Sequence, residues 1–148
     1  MSLKKQPKPP KPPDIHKWGR PPEDHVKVNF DGSFNANSGD GGWGYIIRDH
    51  AGNFIAAGAG KIRNLGSALQ SEATACLAAI HGADGVGANR IIFESDASIL
   101  VQGLKSTELD KSEIGVLVKE AKSLCLLNFS SFQFSFSRRT CNNAAHEP

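Results

Sequence analysis

Apolar and polar residues alternate strictly from Val26 to Asp31: Val26, Val28 and Phe30 point one way, Lys27, Asn29 and Asp31 the other. A period of two carried by β-branched and aromatic side chains predicts a half-buried strand ending on Asp31. A turn-rich run, Asn35 to Gly42, follows, and Trp43 to Asp49 reads as a second strand. His50 to Asn53 is a tight turn, and Phe54 to Ala59 is a third strand. Three strands joined by short turns predict an antiparallel meander. The period then changes to that of a helix. Leu69, Ala73, Cys76, Ile80 and Ala83 form one apolar face from Ser67 to about Gly82. Ser67 with Gln70 three residues on fits a capping box at its start. Arg90 to Ser95 has a continuous apolar centre, as expected of a strand buried on both faces. Ala97 to Leu104 and Ser112 to Leu127 read as helices, and Ser131 to Arg138 alternates Phe132, Phe134 and Phe136 with polar residues as a fifth strand. Asn142 to Pro148 reads as the opening of a last helix that the chain does not complete. The order β-β-β-α-β-α-α-β predicts an α/β domain with a five-stranded mixed sheet. Its β-α-β crossover requires parallel pairing of the fourth strand.

Composition narrows the class. Of 148 residues, 39% are hydrophobic and 22% charged, which suits one globular domain with a proper core. No apolar run approaches a membrane span, and the N-terminus lacks the apolar centre of a signal peptide. The three cysteines, Cys76, Cys125 and Cys141, form no CxxC pair or zinc spacing. An intracellular, unsecreted protein is expected, and nucleus and cytoplasm fit equally. Residues 1–24 hold seven of the eight prolines, so they read as an extended, disordered tail or linker, with residues 25–148 as the domain. Up to Pro22, Lys4, Lys5, Lys8, Lys11, Lys17 and Arg20 face Asp14 alone, a net +5; the total of +2 therefore leaves −3 on the remainder. The tail suits either a solvated linker or a source of salt-sensitive affinity for nucleic acid.

Three carboxylates stand out. Asp31 ends a strand beside a glycine-rich loop, which suits a metal ligand or an Asx-turn. Glu72 shares the apolar side of the first helix, a costly position for a carboxylate without a partner or metal; the helix macrodipole is its other explanation. Asp96 follows the fourth strand, as an N-cap or a ligand. If the first and fourth strands are parallel neighbours, all three meet at one sheet edge. Such a cluster repels itself and calls for a hard cation such as Mg²⁺.

Read together, Val28-Asn-Phe-Asp-Gly-Ser33, Gly41-Gly-Trp-Gly-Tyr-Ile-Ile-Arg-Asp49, Ser71-Glu-Ala-Thr-Ala-Cys-Leu-Ala-Ala-Ile80, Ile91-Ile-Phe-Glu-Ser-Asp96 and Arg139-Thr-Cys-Asn-Asn-Ala-Ala145 follow one another as in a known family. From about Val26 onward the chain resembles a type 1 ribonuclease H domain of the reverse-transcriptase-associated kind widespread in plants. The resemblance implies a ribonuclease H-like fold, C-terminally incomplete here, and metal-dependent endonucleolytic cleavage of the RNA strand of an RNA–DNA hybrid. It implies that Asp31, Glu72 and Asp96 hold divalent metal, Mg²⁺ or Mn²⁺; two ions are expected, one of them weakly held because His146 stands where a fourth acidic ligand belongs. It places Gly32, Ser33, Asn37, Gly39, Ser67 and Asn142 against nucleic acid, near the 2′-hydroxyls that distinguish RNA.

The chain also departs from that pattern. Where the family carries a fourth acidic ligand, His146 stands, with Glu147 beside it. Phe136 lies near the family's mobile histidine, and Ala68 and Leu69 replace asparagines that face the hybrid. Between Gly103 and Asn128 four lysines are balanced by four acids, so a basic handle is missing. A catalytically weak or silent nucleic-acid-binding module that keeps the ribonuclease H-like fold is the alternative reading. A monomer is expected, and the tail also suits the end of a linker from an upstream domain in a longer chain.

Overall fold

The computed structural model describes residues 24–138. The expected N-terminal tail, apart from Asp24, and the expected last helix with Asn142 and His146 lie outside the described residues. Eight elements follow one another: β1 (Val26–Phe34), β2 (Gly41–Arg48), β3 (Phe54–Ile62), α1 (Ala68–Gly85), β4 (Arg90–Ser95), α2 (Ser98–Leu104), α3 (Gly115–Asn128) and β5 (Ser131–Phe136). The five strands form one sheet in the order β3-β2-β1-β4-β5. β1, β2 and β3 are antiparallel neighbours, while β4 lies parallel to β1 and β5 parallel to β4. The mixed sheet and its meander match the sequence pattern.

Alternation decides which side of the sheet each residue takes. Val28, Phe30, Ile47, Ile91, Phe93 and Phe134 all enter one core with the apolar faces of α1, α2 and α3. Every strand residue of that core comes from this one face of the sheet. β4 therefore corrects the expectation of burial on both sides. Ile91, Phe93 and Ser95 are buried, whereas Ile92 and Glu94 between them are only half-buried. Phe93 stacks on Phe134 with ring centroids 5.3 Å apart, which ties β4 to β5. α1 approaches closely because it presents alanines and Cys76 to the sheet. A methyl group on Gly82 would lie 2.4 Å from the Tyr45 ring, so only glycine fits there. Cys76 and Cys125 are buried, free thiols of this core, as their helical spacing suggested. Burial pushes the Cys125 thiol up from 9.0 to about 12 and raises Cys76 well above 9.0, with Cys125 adding to the Cys76 shift.

Element boundaries moved where packing or capping overrode periodicity. α3 starts at Gly115 instead of Ser112, because residues around Ser112 are spent on turns: its hydroxyl donates to the Leu109 carbonyl at 2.7 Å. α1 continues to Gly85. Its start is half a capping box. Ser67 Oγ accepts the Gln70 N–H at 3.0 Å, but Gln70 Oε1 takes the Gly66 N–H at 2.6 Å.

Candidate metal centre

The sheet order creates a gap. β1, β2 and β3 proceed to one side, and the chain then crosses over so that β4 lies on the other side of β1. Ligands bind outside the carboxyl ends of strands at such reversals. Parallel pairing of β1 with β4 ends at Asn29 opposite Glu94, yet β1 runs on beside β2 to Phe34. Asp31 is therefore not at a strand end, as the alternation suggested. It lies within β1, just past the point where β4 leaves it. Its side chain is still largely buried, 8% exposed. The turn explanation for Asp31 thus falls away: it is strand, opposite Gly44 of β2.

Asp96 directly follows β4 as that strand turns into α2. It is not the N-cap: Ala97 occupies that position, and Ser95 Oγ accepts the Ala97 N–H at 3.0 Å. Glu72 descends from the start of α1, and its Oε1 accepts the Gly32 N–H at 2.8 Å. One carboxylate oxygen from each of Asp31, Glu72 and Asp96 lies within 4.8 Å of the others. The donor set is three carboxylates from three different elements. Bringing them together in a partly buried site costs electrostatic repulsion, which a dication bound among them offsets. All-oxygen donors fit a hard divalent ion and lack the nitrogen and sulfur that softer metals select.

Two features hold α1 against β1. A Cβ on Gly32 would lie 2.5 to 2.6 Å from the Oγ, C and O atoms of Ser71, so helix and strand touch through a glycine. Ser71, fully buried, donates from Oγ to the Ser33 carbonyl at 2.7 Å, with the Gly42 carbonyl at 3.2 Å. The first turn of α1 is thus tied to both β1 and β2, one residue before Glu72. Ser71 was missed in the sequence; its signal was its place at the head of a stripe of small residues, Ser71, Ala75 and Ala79, flanking the apolar face of α1. A second missed group is Glu94 with its partners. Its carboxylate accepts from Asn29 Nδ2 at 3.2 Å and pairs with Lys27 Nζ at 3.1 Å.

The residues expected to face nucleic acid are only partly gathered. Gly32 and Ser33 continue β1 immediately after Asp31. Asn37 and Gly39 lie in the β1–β2 loop, organised by Asn35, whose Oδ1 accepts the Asn37 N–H at 2.9 Å and the Ser38 N–H at 3.3 Å. Gly39 has φ +77°, which glycine adopts without strain. Its carbonyl accepts the Leu65 N–H at 2.8 Å, so this loop is tied to the segment leading to Ser67. Ser67 itself caps α1. Asn142 and His146 fall outside the described residues.

The family model described as reverse transcriptase-like matches residues 29–147. The chain belongs to the reverse transcriptase-like family. No curated protein matches this reverse transcriptase-like chain. Among solved structures it is similar to the ribonuclease H1 of Halobacterium salinarum NRC-1, at 22% identity and a TM-score of 0.69, over 82% of this chain and 92% of that one. The N-terminal ribonuclease H domain of a Mycobacterium tuberculosis protein shares 19% identity at a TM-score of 0.75, covering 82% and 87%. A ribonuclease H1 isolated from compost by a metagenomic approach, LC11, was solved in complex with an RNA/DNA hybrid; it shares 16% identity at a TM-score of 0.74, covering 82% and 91%. At these identities the likeness is one of fold: this reverse transcriptase-like domain has the type 1 ribonuclease H architecture.

Proposed function

We propose that the chain is a divalent-metal-dependent endonuclease that cuts the RNA strand of RNA–DNA hybrids. The observation that carries this reading is the meeting of Asp31, Glu72 and Asp96 within 4.8 Å at the β1/β4 gap of a ribonuclease H fold. Asp31, Glu72 and Asp96 would hold Mg²⁺ or Mn²⁺. When bound, such ions activate a water for in-line attack on a phosphodiester and stabilise the leaving oxygen. The protein's own part is preorganisation. The Gly32 N–H fixes the Glu72 carboxylate, and the Ser71 clamp fixes the helix turn that carries it. Gly32, Ser33, Asn37, Gly39 and Ser67 would contact the RNA strand, its 2′-hydroxyls marking it as RNA. His146, in the position of a fourth acidic ligand, would leave one of two ions weakly held.

Cleavage of an end-labelled hybrid tests this, with Mg²⁺, Mn²⁺ or chelator, and with Asp31→Asn as control. Expected is metal-dependent cutting of the RNA strand alone, absent in chelator and in Asp31→Asn. Binding of the hybrid without cutting under every metal condition supports the silent binding module instead.

A further inference from the structure

We propose that Lys27, Asn29 and Glu94 form a positioning strap that sets how Asp31 and Asp96 meet. This rests on reading the three carboxylates as a metal centre. Asn29 and Glu94 are the last pair in the β1–β4 register. Asp31 stands two residues further along one strand, and Asp96 two residues beyond Glu94. Side chains two apart along a strand share a face and lie about 6–7 Å apart, which puts Asp31 beside Asn29, while Asp96 lies just past the end of β4 and is brought in by its place in the carboxylate cluster. The strap is therefore the last cross-strand link before β1 and β4 part, and the two aspartates project beside it.

Its chemistry is closed. Glu94 Oε1 accepts from Asn29 Nδ2, and Glu94 Oε2 pairs with Lys27 Nζ. The side chains of Lys27 and Glu94 are 14% and 13% exposed, and Asn29 is 5% exposed. A fourth carboxylate thus sits in the row of the metal centre with both oxygens engaged and its charge cancelled. It neither repels Asp31 and Asp96 nor competes for the cation. Stability alone does not call for this arrangement, since an apolar pair of equal bulk often replaces a buried ion pair at no cost. Two side-chain links to Glu94 span the strands, the ion pair from Lys27 and the hydrogen bond from Asn29, and the Asn29 bond lies at the parting point itself. The splay of those strands, and so the separation of Asp31 from Asp96, depends on it.

Two isosteric, uncharged variants of the full chain isolate that bond. Lys27→Met/Glu94→Gln removes both charges but leaves an amide oxygen to accept from Asn29. Lys27→Met/Glu94→Leu removes the acceptor as well. Mn²⁺ binding without nucleic acid is followed through the free-ion paramagnetic resonance signal, and the melting temperature of each metal-free variant is recorded. The glutamine variant is expected to bind Mn²⁺ within about twofold of the parent and the leucine variant about tenfold more weakly, the low end for lost outer-shell partners. The leucine variant is expected to melt lower, since the buried Asn29 amide loses this acceptor, so affinities are compared at a temperature where both variants are fully folded. Equal Mn²⁺ affinity in both variants overturns the strap while leaving the metal centre standing. A parent chain that binds no Mn²⁺ overturns the metal-centre reading, and the strap with it.

Discussion

Replacing Gly32 by alanine tests whether the α1–β1 contact sets the geometry of the centre. The new Cβ would lie 2.5 Å from Ser71 Oγ and 2.6 Å from Ser71 C and O, while ordinary contact begins at 3.4 Å. The helix turn must therefore retreat by 3.4 − 2.6 = 0.8 Å. Two of the three crowded atoms are backbone, so a rotamer change cannot relieve the clash. Overpacking of this kind costs about 1–3 kcal/mol. At about 4 °C per kcal/mol for a domain of this size, the melting temperature should fall by about 4–12 °C. The retreat also stretches the 2.8 Å bond from the Gly32 N–H to Glu72 and draws that carboxylate away from Asp31 and Asp96. A displacement near 1 Å costs a reaction about 100-fold in rate. The assays are thermal unfolding and single-turnover cleavage of a labelled hybrid at saturating metal. Adding Ser71→Gly to Gly32→Ala should rescue neither readout, because the clashing backbone remains. Parent-like melting and cleavage in Gly32→Ala, or full rescue by Ser71→Gly, refutes the backbone-contact reasoning.

Other expected outcomes follow from charge and burial. His146→Asp should raise the Mg²⁺-supported cleavage rate more than the Mn²⁺-supported one, since Mg²⁺ depends more on charge and oxygen ligands; unchanged rates with both ions remove residue 146 from the site. Deleting residues 1–22 should weaken hybrid binding mainly at low salt and leave thermal unfolding intact, because the segment carries a net +5; collapse of the folded core would make it structural. Cys125 has its thiol raised to about 12 and Cys76 is raised in the same direction, so folding favours both protonated forms. Their stabilising contribution is complete below pH 9 and is lost as pH rises towards 12. Urea unfolding between pH 8 and 11 should therefore show a falling midpoint, and the fall should be shallower in Cys125→Ala. A slope identical to the parent's would count against titration of this thiol.

What was legible locally and what was not divides along the reach of the interactions. The alternation of Val26, Val28 and Phe30 fixes a face within a strand, and the spacing of Ala73, Cys76, Ile80 and Ala83 fixes a face of a helix. Both follow from bond geometry over a few residues. The residue types of the centre were legible too, since Glu72 on an apolar helix face is conspicuous in the sequence alone. Local pattern could not say that β1 runs on past Asp31, because that extension is supported by antiparallel pairing with β2, up to Phe34 opposite Gly41. It could not exclude Asp96 as a cap, a choice made by where Ala97 and Ser95 settle. Nor could it show that the apolar run of β4 is covered on one side, which depends on all three helices packing on the same face of the sheet. The meeting of Asp31, Glu72 and Asp96, and the closure of Glu94 by Lys27 and Asn29, arise only when β4 takes its place beside β1. The places of β4 and β5 in the sheet are set by pairs 40 or more residues apart, from Val26 opposite Ile91 to Arg90 opposite Ser131. No periodicity within one element encodes them.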